Sequence, residues 1–251
     1  MSNYGQSGQW YWDFELCSWL WGVFKNLGLS DNALGGLFAN LYWESGICPY
    51  KCEGWAIPQP SLSRTISYVK TASSALDFAN QYYGSGKGYS LAQWTEQSRK
   101  IAYWNYAPTS VLGTDLTAHM QRDSNFLVQE LQNYGYEPSA NESIWSAQGK
   151  TIWQWLTDPN VSYSDAINAV LMIYERPFET RPTYEQYSTE YNQRKLKGDK
   201  CLEDFAGITP PPTPPTPPTP TPTSGIPIYQ LFVLKNRNQN TKPEEGDYNV
   251  F

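Results

Sequence analysis

One segment near the start of the chain, residues 29–46, restricts the fold more than any other part of the sequence. Four of its apolar residues stand three or four positions apart, which places them on one helical face: Leu34, Leu37, Phe38 and Leu41. Ser30 or Asp31 is the predicted N-cap, and Gly46 is the predicted stop. The segment therefore predicts an amphipathic helix with an apolar stripe that faces a core.

Glu44 lies at the edge of that stripe, seven residues after Leu37 and three after Leu41. A carboxyl at the end of a buried face, beside Trp43, is disfavoured as an anion, and this raises its pKa toward that of a general acid. The alternative is a solvated residue at the helix end. The helix alone does not decide between these two interpretations.

Composition excludes several classes of function. The chain has 18 Lys and Arg against 24 Asp and Glu, with no basic tract, which argues against sequence-independent binding of nucleic acids. No apolar run approaches the ~20 residues of a membrane span, and the N-terminus has no signal-peptide pattern. The 11 Trp and 19 Tyr suit stacking on sugar rings, but such residues also fill cores.

The cysteines do not form a recognisable metal motif. Cys48 and Cys52 have the spacing of half a zinc site, but no second close pair exists and His119 is the only histidine. We therefore expect no metal and no cofactor. A disulfide remains an alternative for Cys48 and Cys52, and the other two cysteines are Cys17 and Cys201.

The chain divides by composition into four parts. We expect residues 1–9 to form a polar, flexible tail and residues 10–205 to form the main domain. Within it, residues 47–87 are broken by Pro and Gly and predict an irregular lobe with short strands. Residues 206–224 are a Pro/Thr-rich linker of polyproline type, and residues 225–251 are a docking segment too short for its own core.

Periodicity predicts further helices in the main domain. Pro177 would end the helix at 163–174, for which Ser162 and Asp165 form a capping pattern. A polar segment with Tyr184, Tyr187 and Tyr191 predicts a last helix that packs back on the domain. The other predicted helices lie at 10–24, 73–78, 96–106, 115–134 and 150–156.

Three motifs in order carry a resemblance to a known family. They are Glu44-Ser45-Gly46, then Gly88-Tyr89-Ser90-Leu91-Ala92-Gln93-Trp94-Thr95, then Ile173-Tyr174-Glu175-Arg176-Pro177. From about residue 10 to 195 the chain resembles the lysozyme domain of bacteriophage tail proteins, within the lysozyme and lytic transglycosylase superfamily. The resemblance implies an α+β, mostly α fold, in which a helical lobe and a small irregular or β lobe flank a cleft.

The resemblance also implies site residues. Glu44 would be the catalytic acid, and Tyr174 would face it. Gln93 would bind the sugar or the attacking water, with a turn-stabilising amide as the alternative, while Tyr89 and Trp94 would form the cleft wall or belong to the core. The implied substrate-binding residues are Gln93, Tyr89, Tyr174, Ser45 and Trp94.

Two departures from the family pattern stand out. Ser90 replaces the middle glycine of the second motif, so a positive φ there would be strained. The sequence of residues 48–52 differs from the usual run after the catalytic Glu, which would change the rim of the cleft.

The remaining charged residues of the motifs have weaker assignments. We expect Glu175 and Arg176 to form a structural ion pair, and His119 to be a surface or core residue. Glu53 and Asp77 are the candidates for a second catalytic carboxylate. The alternative for each is a solvated charged residue on the protein surface. If neither faces Glu44, a transglycosylase could act through that residue alone.

The leading hypothesis is a peptidoglycan glycosidase carried at the tip of a phage tail, which cleaves the MurNAc-GlcNAc β-1,4 bond while the phage DNA enters the host. Its partners would be the peptidoglycan and other tail proteins. The alternatives are a catalytically inactive lysozyme-like module that serves as a structural or wall-binding tail component, and a secreted or free endolysin-type lysozyme.

Overall fold

The structure is a computed structural model, and it describes residues 14–49, 72–82, 88–106, 116–177 and 180–208. All of these belong to the first of two compact units, Met1–Pro215, and the second unit is Thr216–Phe251. The described helices are α1 (Phe14–Asn26), α2 (Asp31–Ser45), α3 (Ala75–Asp77), α4 (Gln97–Tyr106), α5 (Leu116–Asn133), α6 (Ile152–Leu156), α7 (Tyr163–Ala169) and α8 (Tyr184–Phe205).

These helices confirm the mostly helical part of the predicted fold class. No strand occurs within the described ranges. The small β lobe was predicted within residues 47–87, and most of that segment lies outside the described residues. The tail at 1–9, the docking segment at 225–251 and nearly all of the linker at 206–224 lie outside them too.

Both predicted ends of α2 are confirmed. Ser30 is the N-cap, and its Oγ accepts a hydrogen bond from the backbone N–H of Ala33 at 3.2 Å. Gly46 ends the helix in the left-handed conformation at φ 67°, and its N–H donates to the carbonyl of Tyr42 at 2.8 Å. A glycine adopts this conformation without a steric penalty, which is why the helix ends there.

The amphipathic character predicted for α2 is wrong, because the helix is buried nearly all round. Every residue from position 33 to 41 is buried, including the polar Asn40. Two glycines allow this close packing: a Cβ at Gly36 would lie 2.5 Å from the carbonyl carbon of Ala166 in α7, and a Cβ at Gly35 would lie 2.9 Å from the Leu202 side chain in α8. Thus α2 is the central helix of the unit, and α7 and α8 pack on it.

Two helices continue as π-helix, which periodicity did not predict. Phe78–Tyr82 follows α3, and Val170–Glu175 follows α7. The second segment ends where Arg176 takes a left-handed conformation at φ 46°, one residue before Pro177. A π-helical turn rotates the residues that follow it, and such turns often occur at functional sites.

The last helix, α8, extends beyond the three tyrosines to Phe205 and packs back on the domain as expected. The hydroxyl of Tyr187 donates to Asn168 Oδ1 at 3.0 Å, and that of Tyr191 donates to Ser164 Oγ at 3.0 Å. A Cβ at Gly198 would lie 2.8 Å from the Cβ of Ala39, so this glycine permits the close approach to α2.

Two groups of aromatic residues stand out in the core of the described part of the chain. One contains Trp21, Phe38 and Phe205, with the Trp21 and Phe38 rings 5.0 Å apart in an edge-to-face arrangement. The other is built around Tyr103, whose ring lies 5.0 to 6.2 Å from four others: Phe78, Tyr89, Trp94 and Phe126. In the described part of the chain, no helix combines the length and apolarity that a bilayer span requires.

The cysteines are buried where the structure describes them. Cys17, Cys48 and Cys201 are fully buried. Cys52 lies outside the described residues, so the pairing of Cys48 with Cys52 stays a prediction. Among the described residues, no group of three or more His, Cys, Asp or Glu side chains could hold a metal ion.

Candidate active site

Glu44 occupies the last turn of α2, where the helix reaches the surface. Its side chain is 22 % exposed, and the neighbouring Trp43 is 38 % exposed. The partial exposure follows from its place in the last turn of α2, beyond the buried stretch 33–41, and Gly46 turns the chain away directly afterwards. The carboxyl is therefore accessible to solvent, and an open aromatic surface lies beside it.

A buried arginine of α8 holds the Glu44 carboxylate. Arg194 is 0 % exposed, and its Nη2 donates to Glu44 Oε1 at 2.8 Å. Its Nη1 donates to Glu190, and its Nε donates to Asn40 Oδ1 at 2.8 Å. The same guanidinium lies 5.6 Å from the ring centroid of Trp43, within range of a cation–π contact.

The environment of Glu44 therefore differs from the apolar one that the sequence pattern indicated. A guanidinium within hydrogen-bond distance stabilises the ionised carboxylate, whereas an apolar pocket would stabilise the neutral acid. The contact joins residues 150 positions apart in sequence. The only local signal for it is the i,i+4 pair of Glu190 and Arg194 on α8.

A second polar cluster is centred on Glu130 of α5. Arg99 binds it through two hydrogen bonds, from Nε to Oε1 at 2.7 Å and from Nη2 to Oε2 at 2.9 Å. Trp94 Nε1 donates to Glu130 Oε2 at 2.8 Å, and the hydroxyl of Tyr174 donates to the same oxygen. Burial alone would raise the pKa of Glu130, but the charge of Arg99 and these hydrogen bonds outweigh it and lower that pKa.

Charged residues of both clusters affect the pKa of Glu175, and its predicted ion pair with Arg176 is wrong. Arg176 Nη1 instead contacts Glu137 Oε2 at 3.1 Å. Because Glu175 is the last residue of the π-helical segment and Arg176 takes a left-handed backbone conformation, the two neighbours do not pair. Glu175 Oε1 is shielded from solvent and has no hydrogen-bond partner among the described residues.

The surroundings of Glu175 favour its neutral form. Burial raises the pKa of its carboxyl well above the ordinary value, and the negative charge of Glu44 raises it further. Arg99 and Arg194 act in the opposite direction but do not reverse the shift. The charge of Glu44 is thus one of the causes that raise the pKa of Glu175.

The other predicted substrate-binding residues are held by internal hydrogen bonds. Gln93 is partly exposed, and its Nε2 donates to the Ser90 carbonyl at 2.8 Å, as in the turn-stabilising alternative. The buried hydroxyl of Ser45 donates to the Leu41 carbonyl at 3.0 Å. Tyr89 and Trp94 are both fully buried in the core. Roles of these residues in substrate binding stay predictions.

Ser90 takes the strained conformation that its place in the motif implies. Its φ is 66°, a value at which a Cβ clashes with the backbone. Its hydroxyl contacts the Pro49 carbonyl at 2.8 Å and the carboxyl of Asp123. The hydroxyl of Tyr103 also donates to Asp123, at 2.5 Å. These hydrogen bonds anchor Ser90 and offset part of the strain.

His119 and Asp123 are titratable groups of the core. Burial and the nearby Arg122 lower the pKa of His119 to about 3, and its Nε2 lies 3.1 Å from the hydroxyl of Tyr89. Burial raises the pKa of Asp123 to about 7, although Arg122, Ser90 and Tyr103 lower it in part. His119 is therefore a neutral core residue, which confirms one of its two expected placements.

Of the two candidates for a second carboxylate, only Asp77 lies among the described residues. Asp77 Oδ2 accepts hydrogen bonds from the backbone N–H and the hydroxyl of Ser73, at 2.8 and 3.1 Å, and these stabilise the turn before α3. Glu53 lies outside the described residues. The charge of Glu44 raises the pKa of Glu175, and the motif that contains Glu175 was the available sequence signal.

Comparison with known proteins identifies a family. The family model described as phage tail lysozyme matches residues 18–205, which are 188 of the 251 residues. The match spans α2, the second motif, the π-helical segment Val170–Glu175 and all of α8. No curated protein and no solved structure matches the chain.

Proposed function

Because the chain belongs to the phage tail lysozyme family, we propose that it is a virion-associated peptidoglycan glycosidase. It acts from the phage tail tip and cleaves the β-1,4 bond between MurNAc and GlcNAc in the host wall while the phage DNA enters. Its partners are the peptidoglycan and other tail proteins. The observation that carries the proposal is the accessible carboxyl of Glu44, held at the end of the central helix by the buried Arg194.

In this proposal Glu44 is the general acid. It donates a proton to the glycosidic oxygen as the bond between that oxygen and the anomeric carbon breaks. Water then adds to the sugar in a hydrolase, or the muramoyl 6-hydroxyl adds in a transglycosylase and leaves a 1,6-anhydro end. In either case the attacking hydroxyl releases a proton, which can restore Glu44.

The environment of Glu44 suits the binding of a sugar chain. Trp43 offers an aromatic face that is 38 % exposed, and sugar rings stack well on such faces. Arg194 holds the carboxyl from the buried side, and Asn40 in turn accepts a hydrogen bond from Arg194, so the carboxyl is oriented without substrate. A general acid must be positioned before its protonation state matters, and these contacts support that positioning.

Digestion of purified peptidoglycan tests the proposal. We expect the wild-type protein to release muropeptides that mass spectrometry can identify. Reducing MurNAc ends would indicate a hydrolase, and anhydro ends would indicate a transglycosylase. If the folded wild-type protein releases nothing, the enzymatic proposal fails and the inactive, structural or wall-binding module becomes the better account.

A further inference from the structure

Three tyrosines in the first half of α8 form a continuous row of rings. Tyr184, Tyr187 and Tyr191 stand three and four positions apart, so they share one side of the helix. The ring centroids of Tyr184 and Tyr187 are 6.0 Å apart, and those of Tyr187 and Tyr191 are 5.7 Å apart. Tyr184 is 73 % exposed, and the other two are half-buried. This tyrosine row is about 10 Å long, at about 1.5 Å of rise per residue.

The packing of α8 on α2 places the tyrosine row beyond the end of α2. Gly35 lies against Leu202, whereas Glu44 accepts a hydrogen bond from Arg194, so the two helices run antiparallel. Because α2 ends at Ser45, the turns of α8 that precede Arg194 extend past it. The tyrosine row lies on these turns and is therefore not covered by α2.

The tyrosine row is continuous with the candidate active site. Tyr191 lies three residues, or about one helical turn, before Arg194. The guanidinium of Arg194 holds the Glu44 carboxylate at 2.8 Å. From there, Tyr187 and Tyr184 follow along α8 in the direction away from Glu44. One helix thus carries both the arginine that positions the proposed general acid and an aromatic surface that begins beside it.

Two rings of the row are fixed by hydrogen bonds to α7. The hydroxyl of Tyr187 donates to Asn168 Oδ1, and that of Tyr191 donates to Ser164 Oγ, each at 3.0 Å. A ring that is already fixed loses little conformational freedom when a ligand stacks on it. Helix packing accounts for these two tyrosines, but it does not account for Tyr184, which is mostly exposed and extends the row.

The chemistry of the tyrosine row suits a neutral sugar chain. A tyrosine combines a flat apolar ring with a polar hydroxyl, and a sugar ring likewise has apolar faces and a rim of hydroxyl groups. Within residues 184–193, the charged residues are Glu185 and Glu190, both acidic. Their charge disfavours an anionic ligand, such as the acidic stem peptide of peptidoglycan.

We infer that the tyrosine row is a binding track for the glycan strand of peptidoglycan, which extends the candidate active site along α8. This inference rests on the proposed function, because that function supplies the substrate. Sugar rings on one side of the cleaved bond stack on the tyrosines while Glu44 acts at the bond itself.

Binding of chitohexaose to the full-length Glu44→Gln protein tests this inference. The probe is a β-1,4-linked chain of GlcNAc, so it has the linkage of the glycan strand without the peptides, and Glu44→Gln prevents its cleavage. In titration calorimetry, we expect Tyr184→Ala in this background to weaken binding about two- to tenfold, the contribution of one stacked ring. Tyr184→Trp keeps an aromatic face and should bind at least as tightly as the parent.

Leu196→Ala is the matched control. Leu196 is a 55 % exposed apolar residue of the same helix, and it lies about two and a half turns after Tyr187, on the opposite side. We expect this variant to bind chitohexaose as tightly as the parent. Equal affinities of Tyr184→Ala and Leu196→Ala would overturn the inference. No binding of chitohexaose by the folded Glu44→Gln protein would overturn it too, as would binding of a stem peptide in its place.

Cleavage of peptidoglycan separates this inference from the proposed function. If Tyr184→Ala weakens chitohexaose binding but the wild-type protein releases no muropeptides, the proposed catalysis fails and the binding track remains. If the wild-type protein cleaves peptidoglycan, we expect Tyr184→Ala to raise KM about two- to tenfold. The same KM in Tyr184→Ala and Leu196→Ala would refute the binding track alone.

Discussion

Arg194 offers the sharpest test of how the site is held together, because it joins α8 to the end of α2. Its guanidinium is fully buried and donates to Glu44, Glu190 and Asn40. Removing one partner of a buried ion pair costs about 3–5 kcal/mol. Glu44 and Glu190 are 22 % and 29 % exposed and regain some hydration, so we expect Arg194→Met to lower the free energy of unfolding by about 3 kcal/mol.

The assay is urea denaturation followed by tryptophan fluorescence. Arg194→Lys should lower the free energy of unfolding by less, about 1–2 kcal/mol, because an ammonium keeps the charge but cannot reach all three acceptors. Arg176→Met is the matched control: this arginine has a 41 % exposed side chain and a surface ion pair with Glu137, so its loss should be under about 1 kcal/mol. If Arg194→Met is no more damaging than Arg176→Met, the buried guanidinium does not hold the two helices together.

Two further predictions concern the core around Ser90. Ser90→Gly and Ser90→Ala both lose the contacts of the hydroxyl, but only glycine relieves the strain at φ 66°. In urea denaturation, the Ser90→Gly protein should therefore be more stable than the Ser90→Ala protein by about 1 kcal/mol. Equal stability of the two variants would mean that no strain is stored at this position. Asp123 has a folded pKa of about 7 against an ordinary 3.8, so between these values the folded state binds more protons and stability falls as pH rises. Asp123→Asn should flatten that slope in thermal unfolding between pH 4 and 7, and a slope as steep as that of wild type would contradict the assignment.

Much of the helical framework could be predicted from the sequence, because local signals determine it. Ser30 and Gly46 satisfy backbone groups at the ends of α2, and cap residues of this kind act within a few positions. What local signals missed about α2 was its burial on every side. That depends on Gly36 meeting Ala166 of α7, a contact across 130 residues that no periodicity in α2 reveals.

The candidate site was only partly predictable, for the same reason. The motif placed Glu44 at the end of a helix, but its partner Arg194 comes from a polar helix, where the i,i+4 pair with Glu190 does not indicate a contact with α2. Glu175 and Arg176 read as an ion pair in sequence because opposite charges stand side by side. The π-helical turn and the left-handed Arg176 separate them, and Arg176 contacts Glu137 instead.

The most direct test of the central claim is the rate of muropeptide release by Glu44→Gln. Glutamine keeps a hydrogen-bond acceptor for Arg194 but cannot donate the proton, and loss of a general acid typically lowers a rate by about 10²–10⁴-fold. Glu190→Gln is the control, because it changes the other carboxylate bound to Arg194 and should retain most of the activity. We predict a loss of at least about 100-fold in Glu44→Gln alone. Release at the wild-type rate by the folded Glu44→Gln protein would contradict the account.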